Sequence, residues 1–335
     1  MDDRTSQFSV RRRGFLRAAA ATLASGGFGA QALAMQDDND GGIATRPLGR
    51  TGERVSIVGL GGYHIGLLKE KEAIRIMHEA IDQGMTFFDN AWDYHMGRSE
   101  KFMGKALADG GRRDKVFLMT KCCARDYQGA MQNLHESLRR LQTEHLDLWQ
   151  FHEINYAVDP DWLFEKGAIK AAIEAQRKGL VRFVGFTGHK DFSIHLRLLD
   201  KPFDWQTVQM PINILDASFR SFQDHVLPVC QERGIGAIGM KALAGGHLIR
   251  GAGLDPVLCR RYSLSLPIST MVCGIESEEN LDQDLALARG FEPLGPEELK
   301  AFVDRTEPLA REGKHEPFKT TQQFDNAYHR GQHGV

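Results

Sequence analysis

The amino-acid sequence predicts a single (β/α)8 barrel, the TIM-barrel fold class, and three observations support this prediction. Eight short apolar runs recur between residues 55 and 275. Most of them are β-branched or aromatic runs without polar alternation, which is typical of strands buried on both faces. Amphipathic segments separate the runs, and several end at a glycine suited to capping a helix, namely Gly84, Gly179 and Gly234. Eight strand–helix units favour a closed barrel over an open doubly wound sheet.

The elements follow from these patterns in chain order. The predicted strands are 55–62, 85–91, 116–122, 146–154, 181–188, 205–213, 235–243 and 269–275. The seventh unit has the weakest pattern, because its helix must lie in 255–266 after a glycine-rich loop. Residues 46–56 predict an N-terminal β-hairpin with its turn at Arg50-Thr51-Gly52, and 295–313 predict an extra C-terminal helix. The barrel is therefore assigned to residues 46–317.

The N-terminal residues 1–34 resemble a bacterial twin-arginine (Tat) export signal. Three arginines at 11–13 precede Phe-Leu-Arg at 15–17, and a short apolar run ends in Ala-Leu-Ala at 32–34. A basic amphipathic arm is the alternative. Because the apolar run is short and rich in Ala and Gly, we expect no permanent membrane span. The resemblance implies passage through the Tat translocase and a periplasmic or secreted location, in preference to an uncleaved membrane anchor.

Composition limits the remaining possibilities. Of 335 residues, 42% are hydrophobic and 26% charged, and the net charge is −2, so the chain has no basic excess for binding nucleic acid. The five cysteines are odd in number and include no CxxC spacing, which argues against a disulfide framework. Residues 35–45 predict a flexible acidic leader, and residues 318–335 predict a polar, loosely held C-terminal tail.

Polar residues follow successive predicted strands at the end of the barrel where chemistry is found. The second strand leads to Asp89 and Tyr94, the third to Lys121 and the fourth to His152. A phenol has a pKa near ~10, and we expect an adjacent ammonium group to lower it. Asp89 would hold Lys121 in place, and His152 would orient a carbonyl group. Tyr94 would then exchange a proton with the carbonyl oxygen as hydride reaches the carbon.

Three segments resemble the aldo-keto reductase family: FFDNAWDYHMGRSEKFMGKAL (87–107), LMTK (118–121) and LDLWQFHEI (146–154). The similarity extends over residues 46–290. It implies a catalytic tetrad of Asp89, Tyr94, Lys121 and His152, with NAD(P)H bound in an extended form across the barrel mouth and no Gly-rich Rossmann loop.

The resemblance also implies a set of cofactor contacts, carried by GLGGYH (59–64), GFTGH (185–189) and CGIESEENLDQDL (273–285). The implied cofactor-binding residues are Gly61, Gly62, Thr187, Gly188, Gln209, Met240, Lys241, Gly274, Glu276, Ser277 and Asn280. Glu276 and Asn280 stand where NADPH-preferring members usually carry basic residues, so we expect NAD(H) to be slightly preferred over NADP(H). The alternative is that the helix start favours acids only through its dipole.

The expected substrate is a small-molecule aldehyde, ketone, sugar-like carbonyl or alcohol. Tyr63, Trp92, Tyr127 and Tyr156 could form an aromatic wall for it, or be ordinary packing at the barrel top. The sequence thus predicts an NAD(P)-dependent oxidoreductase, and no metal ligand is assigned. Two alternatives remain open: a cofactor-binding regulatory barrel with little turnover, and a metal-dependent hydrolase or isomerase that uses His152, Glu153 and His189.

Overall fold

The computed structural model describes residues 42–320 and 327–334. The predicted export signal and residues 35–41 of the predicted acidic leader lie outside these residues. Strand β1 begins at Thr45, and Ile43 and Ala44 before it are buried. The packed part of the chain therefore starts a few residues before the predicted boundary at 46, because this short apolar stretch has a surface to pack against.

Eight parallel strands close into a barrel, in which the last strand pairs with both the first strand and the seventh. Their bounds are β3 Val58–Gly61, β4 Phe87–Asp89, β5 Phe117–Cys122, β6 Leu146–Phe151, β7 Val181–Thr187, β8 Thr207–Pro211, β9 Gly236–Met240 and β10 Thr270–Cys273. Every residue of β5 and β6 is buried, as expected for strands covered on both faces. The predicted fold class is confirmed, and each strand lies within its predicted run.

Helices surround the barrel, and several short helices lie within the loops that connect its strands. Their bounds are α1 Gly62–Ile65, α2 Glu70–Asp82, α3 Arg98–Leu107, α4 Tyr127–Leu141, α5 Asp159–Glu165, α6 Ala168–Arg177, α7 Phe192–Leu199, α8 Phe222–His225, α9 Leu227–Glu232, α10 His247–Arg250, α11 Pro256–Leu264, α12 Glu278–Arg289, α13 Pro296–Ala310, α14 Pro317–Thr320 and α15 Ala327–His333. Helix α11 lies within the weakly patterned seventh unit, and α13 lies within the predicted extra C-terminal helix, so both predictions are confirmed. Across residues 42–320 and 327–334, no helix is long and apolar enough to cross a bilayer.

The N-terminal hairpin closes one end of the barrel. Strands β1 (Thr45–Pro47) and β2 (Arg54–Ser56) pair antiparallel, which confirms the predicted hairpin. Leu48 and Val55 from this hairpin pack with residues near the strand starts, among them Phe87 and Phe117. Since apolar side chains fill this end, the polar chemistry is confined to the opposite end, where the strands finish.

The predicted loosely held tail is wrong for the described residues that begin it. Phe318 is 2% exposed, and Lys319 is fully buried. The ammonium of Lys319 lies 2.6 Å from Asp216 Oδ1 and 3.0 Å from Glu316 Oε1. A buried cation flanked by two carboxylates fixes the chain here, because leaving any of the three charges unpaired is costly. The predicted end of the barrel domain at 317 therefore falls inside a packed segment.

Candidate active site

Asp89, Tyr94 and Lys121 meet at the mouth of the barrel. Asp89 is the last residue of β4, and Lys121 lies near the end of the adjacent strand β5. The Lys121 ammonium donates to Asp89 Oδ1 at 2.5 Å and to the Asn90 carbonyl at 2.8 Å. Its distance to the Tyr94 hydroxyl is 3.4 Å. Parallel strands end at the same rim, so three residues separated in sequence reach one point.

His152 completes the predicted tetrad. It follows β6 directly, and its ring lies edge-on to the Tyr94 ring with centroids 5.5 Å apart. Tyr94 begins a tight turn in which His95 and Met96 both have positive φ angles, 52° and 57°. Two successive left-handed residues that are not glycine are energetically unfavourable, so surrounding contacts must hold this turn. The turn presents the Tyr94 side chain to the mouth of the barrel.

The ionisation of Tyr94 differs from the expectation. Burial, followed by the nearby carboxylates of Asp89, Asp93 and Glu153, raises the pKa of Tyr94 well above 10. The net shift is opposite to the expected lowering, because burial and the carboxylates outweigh the effect of Lys121, whose ammonium is also paired with Asp89 at 2.5 Å. The phenol is consequently protonated at neutral pH, which is the state required of a proton donor.

Asp93, which had no role in the sequence prediction, holds His152 in place. Asp93 Oδ1 lies 3.0 Å from His152 Nδ1. Burial alone would raise the pKa of Asp93, but the charge and hydrogen bond of His152 outweigh burial and lower that pKa. Asp93 is therefore ionised, and it favours the imidazole form that carries a proton on Nδ1. Its position between Asp89 and Tyr94 was the available signal.

A buried carboxylate also lies behind His152. Glu153 has a positive φ of 50°, and its oxygens lie 3.6 Å from His189 Nε2 and 3.1 Å from His333 Nε2. Although burial raises the pKa of Glu153, its contacts with His189 and His333 lower it well below 4.5. His333 is 1% exposed and also contacts the Cys123 carbonyl at 2.9 Å. The far end of the predicted loose tail thus reaches the active site.

Strands β7, β8 and β9 bring the predicted nicotinamide-binding side chains together. Gln209 Nε2 donates to Asp89 Oδ2 at 2.8 Å, whereas the buried Gln209 Oε1 has no hydrogen-bond partner within residues 42–320 and 327–334. Thr187 Oγ1 lies 4.0 Å from the Met240 sulfur. A buried, unused acceptor next to Asp89 fits a ligand that donates an amide N–H, such as a nicotinamide carboxamide.

Three predicted cofactor residues line this region through their backbone. A Cβ on Gly61 would lie 2.7 Å from the Cys273 carbonyl oxygen, and one on Gly62 would lie 2.6 Å from the Asp89 carbonyl oxygen. One on Gly188 would lie 2.4 Å from the Ile154 carbonyl oxygen. These glycines allow close packing of loop backbones at the rim, and a side chain at any of them would force the loops apart.

Lys241 follows β9 with a positive φ of 57°. Burial lowers the pKa of Lys241 to about 8, and its ammonium lies 5.2 Å from the centre of the Phe318 ring. Its charge therefore contacts the C-terminal segment in this structure. A role for Lys241 with the cofactor stays a prediction.

The predicted adenosine-phosphate segment forms the start of helix α12. Ser277 caps the helix by accepting from the Asn280 backbone N–H at 3.3 Å, and Asn280 Oδ1 accepts from the Glu276 N–H at 3.3 Å. Glu276 Oε1 lies 2.5 Å from His64 Nδ1. Gly274 packs beneath His64, since a Cβ there would lie 2.5 Å from the ring. A helix N-terminus offers free N–H groups to a phosphate.

Only part of the predicted aromatic wall reaches the site. The Tyr63 ring is 45% exposed and lies edge-on to Tyr94, with centroids 5.4 Å apart. The Trp92 indole instead donates to Glu136 on helix α4 at 2.8 Å. The Tyr127 hydroxyl donates to Glu174 on helix α6 at 2.6 Å, and the Tyr156 N–H donates to Asp159. Trp92 and Tyr127 were wrongly placed, because their partners lie on the surrounding helices.

Comparison with known proteins agrees with this geometry. Residues 57–262 match the model of the Aldo/keto reductase family. The chain is 35% identical over 226 residues to the oxidoreductase YrpG of Bacillus subtilis (strain 168), covering 60% of this chain and 67% of that protein. It is 27% identical over 292 residues to L-galactose dehydrogenase of Arabidopsis thaliana, covering 76% of this chain and 90% of that enzyme.

Solved structures agree as well. The holo form of the aldo-keto reductase AKR11C1 from Bacillus halodurans superposes with a TM-score of 0.69 and 25% identity, covering 82% of this chain and 99% of that one. Against several of the curated relatives, the chain spans about two thirds of their length or slightly less. Because the family match covers more than half of the chain and includes all four residues of the predicted tetrad, this chain belongs to the aldo/keto reductase family.

Proposed function

We propose that the chain is an NAD(P)H-dependent oxidoreductase that interconverts carbonyl and alcohol groups, with Tyr94 as the proton donor and acceptor. The observation that carries the proposal is the buried contact between one ammonium, one carboxylate and one phenol. Lys121 Nζ lies 2.5 Å from Asp89 Oδ1 and 3.4 Å from the Tyr94 hydroxyl.

When bound, a nicotinamide cofactor supplies or accepts the hydride, which no side chain can do. The protonated Tyr94 hydroxyl donates its proton to the carbonyl oxygen as negative charge develops there. The Lys121 ammonium, 3.4 Å away, stabilises the phenolate that remains, and Asp89 keeps that ammonium in position. His152 lies beside Tyr94, and its ring, held by Asp93, positions the carbonyl substrate by contact. In the oxidative direction the phenolate takes the proton back.

Turnover of a generic aldehyde tests this role. The purified protein is mixed with 4-nitrobenzaldehyde and NADH or NADPH, and cofactor oxidation is followed by absorbance. We expect Tyr94→Phe to lower kcat by about 10²- to 10⁴-fold. The matched control is Tyr127→Phe, whose hydroxyl contacts Glu174 on an outer helix, and it should retain activity. Full activity in Tyr94→Phe, or no turnover by the wild type, refutes the proposal; the latter favours a regulatory barrel.

We also infer a preference for NAD(H) over NADP(H). The start of helix α12 carries carboxylates at Glu276, Glu278 and Glu279. These charges repel a ribose 2′-phosphate, whereas a carboxylate accepts a hydrogen bond from a ribose 2′-hydroxyl. Glu276 is partly exposed and is held by His64, so it is positioned for such a contact. Fluorescence titration should give tighter binding of NADH, and Glu276→Arg should shift preference towards NADPH; tighter NADPH binding to wild type contradicts the inference.

A sugar-like carbonyl is the substrate class we propose. Its support is the exposed Tyr63 ring beside Tyr94, a flat apolar surface suited to a sugar ring. The similarity to a protein named L-galactose dehydrogenase also supports it. A panel of aldoses and simple aldehydes should give the higher kcat/KM for aldoses, and Tyr63→Ala should reduce that advantage selectively. Equal losses for both classes would argue against a sugar contact at Tyr63.

We further propose export through the twin-arginine route, on the basis of the arginines at 11–13 and the apolar run that follows. Because nicotinamide cofactors are made in the cytoplasm, an exported member must fold around its dinucleotide and retain it. Cell fractionation should place the protein in the periplasm, and the double variant Arg12→Lys/Arg13→Lys should keep it in the cytoplasm. Purified protein that is free of dinucleotide and exchanges it rapidly would contradict retention.

A further inference from the structure

Three side chains of types that bind metal ions lie close together around the Nδ1 atom of His152. Asp93 lies in the loop after β4, Cys123 follows β5, and His152 follows β6. His152 Nδ1 is 3.0 Å from Asp93 Oδ1 and 3.7 Å from Cys123 Sγ. The three ligand atoms all lie within 4.8 Å of one another. Tetrahedral zinc ligands at about 2.0–2.3 Å from the ion are separated by roughly 3.3–3.8 Å, so small movements suffice.

The backbone of two of these residues is fixed by one buried arginine. Arg125 donates through Nη1 to the Cys123 carbonyl at 2.9 Å and through Nη2 to the His152 carbonyl at 2.8 Å. Its own position is set by Asp159, with Nε 2.8 Å from Oδ1. The Cys123 N–H donates to Asn133 at 3.2 Å. Supporting contacts of this kind hold ligands in place before a metal arrives and raise its affinity.

We propose that Asp93, Cys123 and His152 form a binding site for a divalent transition-metal ion of the zinc type, whose occupation inhibits the enzyme by capturing His152. No metal ligand was assigned from the sequence, and the site differs from the alternative of His152 with Glu153 and His189. One sulfur, one nitrogen and one carboxylate oxygen select Zn²⁺ over Mg²⁺ or Ca²⁺, which prefer oxygen ligands alone.

Metal binding exchanges a thiol proton for the metal ion. The Cys123 S–H bond breaks, a sulfur–metal bond forms, and one proton leaves to solvent. The thiolate and the Asp93 carboxylate together neutralise the two positive charges of the ion. The ion also replaces the hydrogen bond between Asp93 and His152 Nδ1, which fixes the ring in the free protein, and the Nδ1 proton is transferred to Nε2 as the neutral ring changes tautomer. Inhibition through His152 rests on the proposed function, whereas metal binding itself does not.

The adjacent cysteine provides a matched control. Cys122 is buried like Cys123, but its sulfur lies 3.6 Å from the Ala124 carbonyl and 3.6 Å from Asn133 Oδ1. Successive residues at the end of a strand point to opposite faces, so Cys122 faces the helix layer and Cys123 faces His152. Cys122→Ala and Cys123→Ala remove the same atoms from neighbouring positions, and only the second removes a proposed ligand.

Titration of the purified, metal-stripped protein with Co²⁺ tests binding without any substrate. Cobalt replaces zinc in such sites, and a thiolate ligand gives it an intense ultraviolet charge-transfer absorption. We expect this band to saturate at one Co²⁺ per chain in wild type and Cys122→Ala, and to be absent in Cys123→Ala. Absence of the band from wild type, or its persistence in Cys123→Ala, would overturn the metal site.

Inhibition is measured in the aldehyde assay with Zn²⁺. Half-inhibition of Cys123→Ala should require about ten-fold more Zn²⁺ or greater, and Cys122→Ala should match wild type. Equal sensitivity of the two variants would overturn the inhibitory role. A cobalt band that depends on Cys123, in a protein that reduces no carbonyl compound with either cofactor, would instead leave the metal site standing and refute the proposed function.

Discussion

The buried ion pair between Asp89 and Lys121 should contribute to both stability and catalysis. Single and double substitutions of this pair distinguish its effect on stability from its effect on activity. The side chains of Lys121 and Asp89 are 1% and 2% exposed. Asp89→Asn leaves the Lys121 ammonium buried with only neutral acceptors, the Asn90 carbonyl and the Tyr94 hydroxyl. Removing one partner of a buried ion pair costs about 3–5 kcal/mol. With a urea m-value of about 3 kcal/mol/M, the unfolding midpoint should fall by about 1–2 M.

The double variant Asp89→Asn/Lys121→Met removes both charges, so we expect it to recover most of the lost stability and none of the activity. Replacing a whole buried ion pair is often close to neutral for stability. The control is Glu70→Gln, which breaks the exposed Lys105–Glu70 pair at 2.7 Å and should cost no more than about 1 kcal/mol. Unfolding is followed by circular dichroism in urea. An Asp89→Asn midpoint equal to that of Glu70→Gln would refute this reasoning.

Three further outcomes are expected. Burial lowers the pKa of His195 to about 3. The contribution of His195 to the free energy of unfolding is therefore complete above about pH 6.5 and falls by about 1.4 kcal/mol per pH unit as pH decreases towards 3. His195→Gln should reduce the pH dependence of the unfolding free energy between pH 6.5 and 4, and an unchanged slope would contradict this. Gln209→Leu removes the buried acceptor Oε1, so the dissociation constant for NADH measured by fluorescence titration should rise about ten-fold. An unchanged NADH affinity would contradict a contact between Gln209 and the cofactor. Gly61→Ala places a methyl group 2.7 Å from a carbonyl oxygen and should lower the unfolding free energy by about 1–3 kcal/mol, whereas Gly42→Ala, with open space around it, should not.

The barrel was predictable because its signal is local. Each strand is a continuous apolar run, and a run such as 116–122 is buried along its length in the structure. Asp89, Lys121 and His152 were predictable for a related reason, since the ends of parallel strands converge on one rim. Cys123 had no such signal, and Asp93 had only its position in sequence between Asp89 and Tyr94. Their importance arises only from distances to His152, which depend on loop geometry.

The direction of a side chain next to a strand end was the main source of error. Trp92 and Tyr127 follow strands as Tyr94 does, yet hydrogen bonds to Glu136 and Glu174 direct them towards surrounding helices. These partners lie 44 and 47 residues away in sequence, so no local pattern indicates them. The pKa of Tyr94 depends likewise on its burial and on the balance among surrounding charges. The sequence identifies which ionisable residues are present, but the direction of the Tyr94 pKa shift requires their positions in the structure.

Transfer of deuterium from labelled cofactor is the most direct test of the central claim, that Tyr94 and Lys121 form a proton-delivery pair beside a hydride donor. NADH carrying deuterium at both C4 positions of the nicotinamide is mixed with 4-nitrobenzaldehyde, and the alcohol product is analysed by mass spectrometry under single-turnover conditions. We predict one deuterium at the former carbonyl carbon for wild type, and a transfer rate about 10²- to 10⁴-fold lower for Tyr94→Phe. Product without deuterium, or equal transfer rates for the two proteins, would contradict the claim.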